Sequence, residues 1–405
     1  MAVGLNPPAE LLAIDGLRLG TARAGIRKPD RRDLVVLELA EGAETAAVFT
    51  RNRFCAAPVH LAREHLAGSA PRYLLINTGN ANAGTGQRGA RDALRCCQAL
   101  ADQTGVAVNR VLPFSTGVIG EPLPVERLTA GLPAALAALQ ADGWQEAAEG
   151  ILTTDTLAKG CSRQIELDGH TITLTGIAKG AGMIRPDMAT MLAFIATDCS
   201  IGRPLLRRLL RDAADQSFNR ITVDGDTSTN DACVLVATGA SHCRLDALHP
   251  EDVAAFAEAL ADLCRELAQA IVRDGEGATR FITISVDEAS SAAEALDVAY
   301  CIAHSPLVKT AFFAGDPNWG RILAAVGRAG VEELDVEGVR ISLDDLCLAE
   351  NGGRAEGYTE EAAAERMRRQ DIGIRVALGR GGASETVWTC DFSYEYVRIN
   401  AEYRT

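Results

Sequence analysis

KGAGMIRPDMATMLAFIATD, residues 179–198, is the stretch on which the reading turns. Gly180, Gly182 and Pro186 mark tight, irregular backbone, because glycine admits conformations closed to other residues and proline removes a donor. MLAFIAT at 191–197 then runs without a charged residue, which predicts a short buried strand. Thr190 therefore stands where a loop enters a core strand, with a small residue, Ala189, before it.

Outward from this segment the chain mixes strands and helices. Residues 163–177 alternate, with Ile165, Leu167, Ile172 and Leu174 toward a core and Asp168-Gly169 as a hairpin turn. LVVLELA at 34–40 and TAAVFT at 45–50 predict a second hairpin about Glu41 and Gly42. YLLINTG at 73–79 is an apolar run ending in a turn, and GNANAGTG at 79–86 a polar loop. A helix is expected from Ala90 to Gln103, with Ala93, Leu94, Cys97 and Leu100 on one face. VLPFSTGVIG at 111–120 reads as a strand entering a glycine turn, and Pro124 opens a helix to about Ala141. Residues 204–218 and 250–272 are amphipathic helices, the second the longest periodic segment. FITISV at 281–286 is a strand, SPLVKTAFFAG at 305–315 a helix, and the alternating stretch from Thr386 onward a terminal strand. No solenoid repeat is present. The mixed order predicts an α+β or layered α/β sandwich.

The 405 residues suggest two or three domains, or one large sandwich with an appendage. Hydrophobic residues make up 47%, enough for a substantial core. A formal charge of −14 repels phosphate backbones and argues against general nucleic-acid binding. The eleven cysteines show no C-x-x-C pair, so they signal neither a zinc site nor a redox pair and fit reduced, buried thiols. The opening MAVGLNPPAELLAIDG carries no basic start before an apolar core, and no apolar run reaches the length of a membrane span. A soluble, cytoplasmic protein with no membrane partner is expected.

Asp224, Asp226 and Asp231 miss the spacing of a calcium loop, so GDTSTND at 225–231 reads as a hydrogen-bonded loop near the catalytic centre and no metal is expected. KGAGM lacks the spacing of phosphate-binding and dinucleotide-binding loops. His60, His65, His170, His242, His249 and His304 form no ligand pattern.

The placement of Thr190 suits self-cleavage. Its hydroxyl could attack the Ala189 carbonyl, and hydrolysis of the ester would leave a threonine with a free α-amine beside the same hydroxyl. Such an amine has a pKa of roughly 7.7–8.0 and serves as the base of an N-terminal nucleophile. The same residues also suit a threonine that merely begins a buried strand, where β-branched side chains are common.

The chain resembles the ornithine acetyltransferases, also called glutamate N-acetyltransferases. That family's Lys-Gly-x-Gly-Met-Ile run leading to Met-Ala-Thr-Met-Leu stands here at 179–184 and 188–192. AGIRKPDRRDLVVLELAEGAETAAVFTRNRFCAAPV at 24–59, NTGNANAGTG at 77–86, STGVIG at 115–120, TVDGDTSTND at 222–231, GDPNWGR at 315–321 and the ending INAEYRT also fit, in the family's order and across nearly the whole chain.

The resemblance implies transfer of acetyl from N-acetylornithine to glutamate, in a ping-pong scheme through an acetyl-threonine ester on Thr190. It implies a layered α-β-β-α sandwich similar to the N-terminal nucleophile hydrolases, with a smaller C-terminal α/β part. It implies cleavage between Ala189 and Thr190 into an α chain, 1–189, and a β chain, 190–405, assembled as α2β2. Oxyanion stabilisation falls to Thr116, through its hydroxyl, and Gly117, through its N–H. Substrate contacts carry over to Thr153, Lys179, Thr190, Glu276, Asn400 and Thr405. No cofactor is implied. Some members also acetylate glutamate from acetyl-CoA, and no motif here decides whether this chain takes it as a co-substrate. Two alternatives remain open beside this reading: an aminopeptidase or amidase of the same fold, and a non-catalytic binding protein.

Overall fold

The strand Leu34–Leu39 has almost every side chain buried, and the reason is that both faces of its sheet are covered. The computed structural model describes residues 2–185 and 191–402. They divide into two compact units, a larger one of Pro7–Asn219 with Asp226–Ile271, and a smaller one of the first six residues, Arg220–Gly225 and the stretch from Val272 on.

The strands of the larger unit are, in chain order, β1 (Leu17–Ala22), β2 (Leu34–Leu39), β3 (Glu44–Phe49), β4 (Tyr73–Asn80), β5 (Val111–Val118), β6 (Lys159–Leu167), β7 (His170–Lys179), β8 (Leu192–Thr197) and β9 (Ala232–Ala237). Its helices are α1 (Ala57–Gly68), α2 (Gly86–Thr104), α3 (Val125–Ala137), α4 (Trp144–Gly150), α5 (Arg203–Asp215) and α6 (Pro250–Arg273). One sheet has the order β1-β2-β4-β5 and the other β3-β9-β8-β7-β6.

The period of two decides the layering. Val35, Leu37 and Leu39 of β2 share a core with Phe194 of β8 and Val234 of β9, so the two sheets face one another. Phe114 of β5 meets Phe194 edge-on, their ring centroids 5.2 Å apart. Leu34 and Val36 point the other way, into a core with Cys97 and Leu100 of α2 and Leu128 and Leu132 of α3. Gly176 of β7 lies where α6 covers the second sheet, since a Cβ there would meet Leu263 at 2.9 Å. The result is the α-β-β-α sandwich.

The smaller unit holds β10 (Phe281–Ala289), β11 (Arg340–Leu343), β12 (Leu346–Glu350), β13 (Gly353–Arg354), β14 (Asp371–Ala377) and β15 (Ala383–Cys390), with α7 (Ala292–Ala303), α8 (Pro306–Ala314), α9 (Trp319–Gly327), α10 (Glu360–Met367) and α11 (Tyr394–Glu402). Its sheet runs β13-β12-β11-β14-β10-β15, with β10 and β14 parallel. Ile282, Ile284 and Val286 alternate inward against Val298 and Ile302 of α7 and Phe312 of α8. This is the smaller α/β part that was expected.

Most elements follow the sequence reading, and three do not. β2 and β3 form no hairpin: β2 pairs with β1 and β4, whereas β3 pairs with β9 in the opposite sheet. The chain crosses between layers at Glu41-Gly42, and a strand buried on both faces carries no periodic sign of its partner. On α2, Leu94 is exposed, and Cys96 takes the inward place beside Cys97. The terminal strand stops at Cys390 and gives way to α11, whose first turn is met by Ser393 Oγ accepting from Glu395 N at 3.1 Å. The Asp168-Gly169 turn holds: β6 and β7 pair in register, and both turn residues have positive φ, as a two-residue hairpin of this type requires.

Candidate active site

The C-terminal ends of β4 and β5 carry a buried polar network. Thr78 and Gly79 of β4 lie opposite Thr116 and Gly117 of β5. Ser115 Oγ donates to Asn77 Oδ1 at 2.6 Å, and Asn77 Nδ2 donates to Asn80 O at 2.9 Å. Asn230 Nδ2 donates to Ser115 O at 2.9 Å and to Ala81 O at 2.6 Å, fastening the approach to β9 onto the end of β5. Ala232 N in turn donates to Met191 O at 3.2 Å, so the start of β8 stands beside the same loop. Within the 225–231 loop, Thr227, Ser228, Thr229 and Asn230 are hydrogen-bonded, and Asn230 reaches Ser115 directly.

Thr116 is buried near the end of β5. Gly117 has φ +134°, and a Cβ there would lie 2.3 Å from the carbonyl carbon of Gly79. No other residue fits that crossing of strands.

A second centre lies at the ends of β6 and β7. The side chains of Asp155 and Lys159 are fully buried, with Lys159 Nζ 2.7 Å from Asp155 Oδ1. Gly180 N also donates to Asp155 Oδ1, at 2.7 Å, and Thr153 N donates to Oδ2 at 2.9 Å. Burial alone would push this carboxyl up, but the ammonium groups of Lys159 and Lys179 outweigh it and hold the carboxyl well below its usual range. Lys179 is itself buried, at the end of β7 opposite Leu192 of β8. Thr78 Oγ1 donates to Gly150 O at 2.6 Å, three residues before Thr153. The larger unit therefore brings Thr116, Gly117, Thr153 and Lys179 to one end of the sandwich, linked through Thr78 and Asp155.

The smaller unit pairs Glu276 with Asn400. Asn400 Nδ2 donates to Glu276 Oε2 at 2.8 Å and to Tyr396 O at 2.9 Å. Gly277, with φ +71°, lets this turn approach α11, since a Cβ would lie 2.5 Å from Tyr396 N. Tyr396 stacks on Phe392 and reaches Asp224 Oδ2 at 3.4 Å. Ala189, Thr190 and Thr405 lie outside the described residues.

Asp155 and Lys159 were missed in the sequence, although D-x-x-x-K at 155–159 was legible there. An isolated acid and base read as surface charge, and only the fold buries them. Among the described residues no group of three or more His, Cys, Asp and Glu is placed to hold a metal. The cysteines are free thiols, eight of them buried, and burial pushes Cys96, for example, up to about 12, which leaves no reactive thiolate there. No described helix is long and apolar enough to cross a membrane.

A buried threonine hydroxyl beside a glycine that no other residue can replace, on the strand ends of a helix-covered sandwich, suits an acyl-transfer enzyme of mixed α/β fold. A family model described as the ArgJ family matches residues 18–405, and the chain belongs to that family and with it to the enzymes of arginine biosynthesis. The arginine biosynthesis bifunctional protein ArgJ of Pseudomonas syringae pv. tomato is 57% identical over 406 residues, covering the whole of both chains. Among solved structures, the arginine biosynthesis bifunctional protein argJ of Bacillus halodurans is 41% identical, covers 51% of this chain and 97% of that one, and has a TM-score of 0.49. The ornithine acetyltransferase of Mycobacterium tuberculosis, solved in complex with ornithine, is 31% identical, covers 43% of this chain and 93% of that one, and has a TM-score of 0.38.

Proposed function

We propose that this chain transfers the acetyl group of N2-acetyl-L-ornithine to L-glutamate through an acetyl ester on Thr190. The hydroxyl of Thr190 attacks the acetyl carbonyl while the α-amine of the same residue takes its proton. The tetrahedral oxyanion is received by the Thr116 hydroxyl and the Gly117 N–H, and it collapses with cleavage of the amide, releasing ornithine with that proton on its nitrogen. The glutamate α-amine then attacks the ester, and the threonine hydroxyl is restored. A preorganised donor of this kind contributes about 3–4 kcal/mol.

The observation that supports the reading is the buried Thr116 beside Gly117, a position that only glycine fits. The charges suit the ligands. Lys179 meets a carboxylate, Glu276 with Asn400 meets an ammonium, and Thr153 and Thr405 complete the substrate contacts. The N-terminal nucleophile arises by self-cleavage between Ala189 and Thr190, giving chains 1–189 and 190–405 that assemble as α2β2 in the cytoplasm. The relative from Pseudomonas syringae is called bifunctional, and we read the second function as acetylation of glutamate from acetyl-CoA.

The test is partitioning of the acetyl-enzyme. With N-acetylornithine and glutamate, N-acetylglutamate should form in step with ornithine. Release of free acetate at the same rate with or without glutamate would instead mark an amidase.

A further inference from the structure

We propose that Asp155 is a positioning residue for substrate binding, tying the segment that bears Thr153 to the strand end that bears Lys179 so that both address one substrate. The inference rests on the proposed acetyltransferase reading and adds to it a residue that neither motif nor chemistry had assigned. One carboxylate spans the two segments. Oδ2 accepts from Thr153 N at 2.9 Å and from its hydroxyl at 3.4 Å. Oδ1 accepts from Gly180 N, next to Lys179, at 2.7 Å. Lys159, opposite Ala178 in the β6–β7 ladder, donates to the same Oδ1 at 2.7 Å.

A carboxylate is needed because it accepts on both oxygens. An amide presents one acceptor and one donor, so it holds Thr153 or Gly180 but not both. Lys159 supplies the neutralising charge, which leaves the pair without net charge beside Lys179. Burying two charges to hold a loop costs more than packing it with apolar side chains. That cost falls at the junction of two proposed substrate contacts, where a fixed geometry has a use.

The test uses the full chain as wild type, Asp155→Asn, and the double variant Asp155→Asn/Lys159→Gln. The double variant removes the Asp155 carboxylate and its Lys159 ion-pair partner together, so neither member of that pair is left buried alone, while one of the two anchors is lost. Acetyl transfer from N-acetylornithine to glutamate is measured together with thermal melting. The expected result is a double variant that melts close to the wild type yet has a KM for N-acetylornithine raised about tenfold or more, the size of one lost charge-assisted hydrogen bond, with kcat changed less than KM. Unchanged KM values, with kcat falling only as the folded fraction falls, would make Asp155 a structural residue and overturn the inference alone. No acetyl transfer by the wild type would overturn the acetyltransferase reading and this inference with it.

Discussion

Replacing Gly117 by alanine probes the strand crossing on which the oxyanion donors depend. The new Cβ would lie 2.3 Å from Gly79 C, 2.6 Å from Asn80 N and 2.7 Å from Gly79 Cα, all of them backbone, so no side chain can swing aside. Ordinary contact begins at 3.4 Å, and β4 and β5 must therefore part by about 1 Å in an interior that packs like a crystal. Overpacking of this kind costs about 1–3 kcal/mol, and a side chain held at φ +134° adds about 1–3 kcal/mol. Against a total stability of about 5–15 kcal/mol the variant folds, but with the 116–117 backbone displaced. A shift of about 1 Å in a catalytic donor lowers the rate about a hundredfold. Steady-state transfer from N-acetylornithine, with melting measured in parallel, reads both effects. A Gly117→Ala protein with wild-type kcat and an unshifted Tm would refute the reasoning.

Thr116→Val keeps the shape and removes the hydroxyl, so kcat should fall about 10²–10³-fold with little change in Tm, while Thr116→Ser retains most of the rate; equal activity of the two variants would deny the hydroxyl a role. Asn230→Ala strands the carbonyls of Ser115 and Ala81 in the interior and should cost about 2–5 kcal/mol in urea unfolding, whereas a solvated loop would tolerate it. The carboxyl of Asp155 is held below its ordinary value of 3.8 by Lys159 and Lys179 against its burial, so the folded state binds that proton more weakly than the unfolded chain. Its stabilisation is present above about pH 4 and is lost as pH falls through the folded value. Unfolding free energy measured between about pH 4 and pH 2 should therefore decline more steeply in the wild type than in Asp155→Asn, and equal slopes would contradict the assignment.

The sequence was most readable where one face of an element meets water. The alternation across Asp168-Gly169 and the long period of α6 both announced themselves because polar and apolar sides differ. β2 is buried on both sides and β3 shows no clean alternation of buried and exposed residues, so their partners are set by packing between layers that no local pattern encodes. The alternation that suggested a terminal strand was real as far as Cys390, but Ser393, a residue type favoured at helix starts whose hydroxyl accepts from Glu395 N, was obscured by it. For the site, Thr116, Gly117 and Lys179 were reached through resemblance, since a Thr-Gly pair and a lone lysine are ordinary in isolation. Asp155 and Lys159 were not reached at all, because burial is what gives that pair its meaning.

The central claim is that Thr190 becomes the N-terminal nucleophile and carries the acetyl group. Intact-mass spectrometry of the purified protein, alone and after mixing with N-acetylornithine, tests it most directly. The account predicts two chains divided between Ala189 and Thr190, with one acetyl mass added to the chain that begins at Thr190. A single uncleaved chain that never takes up acetyl would contradict it.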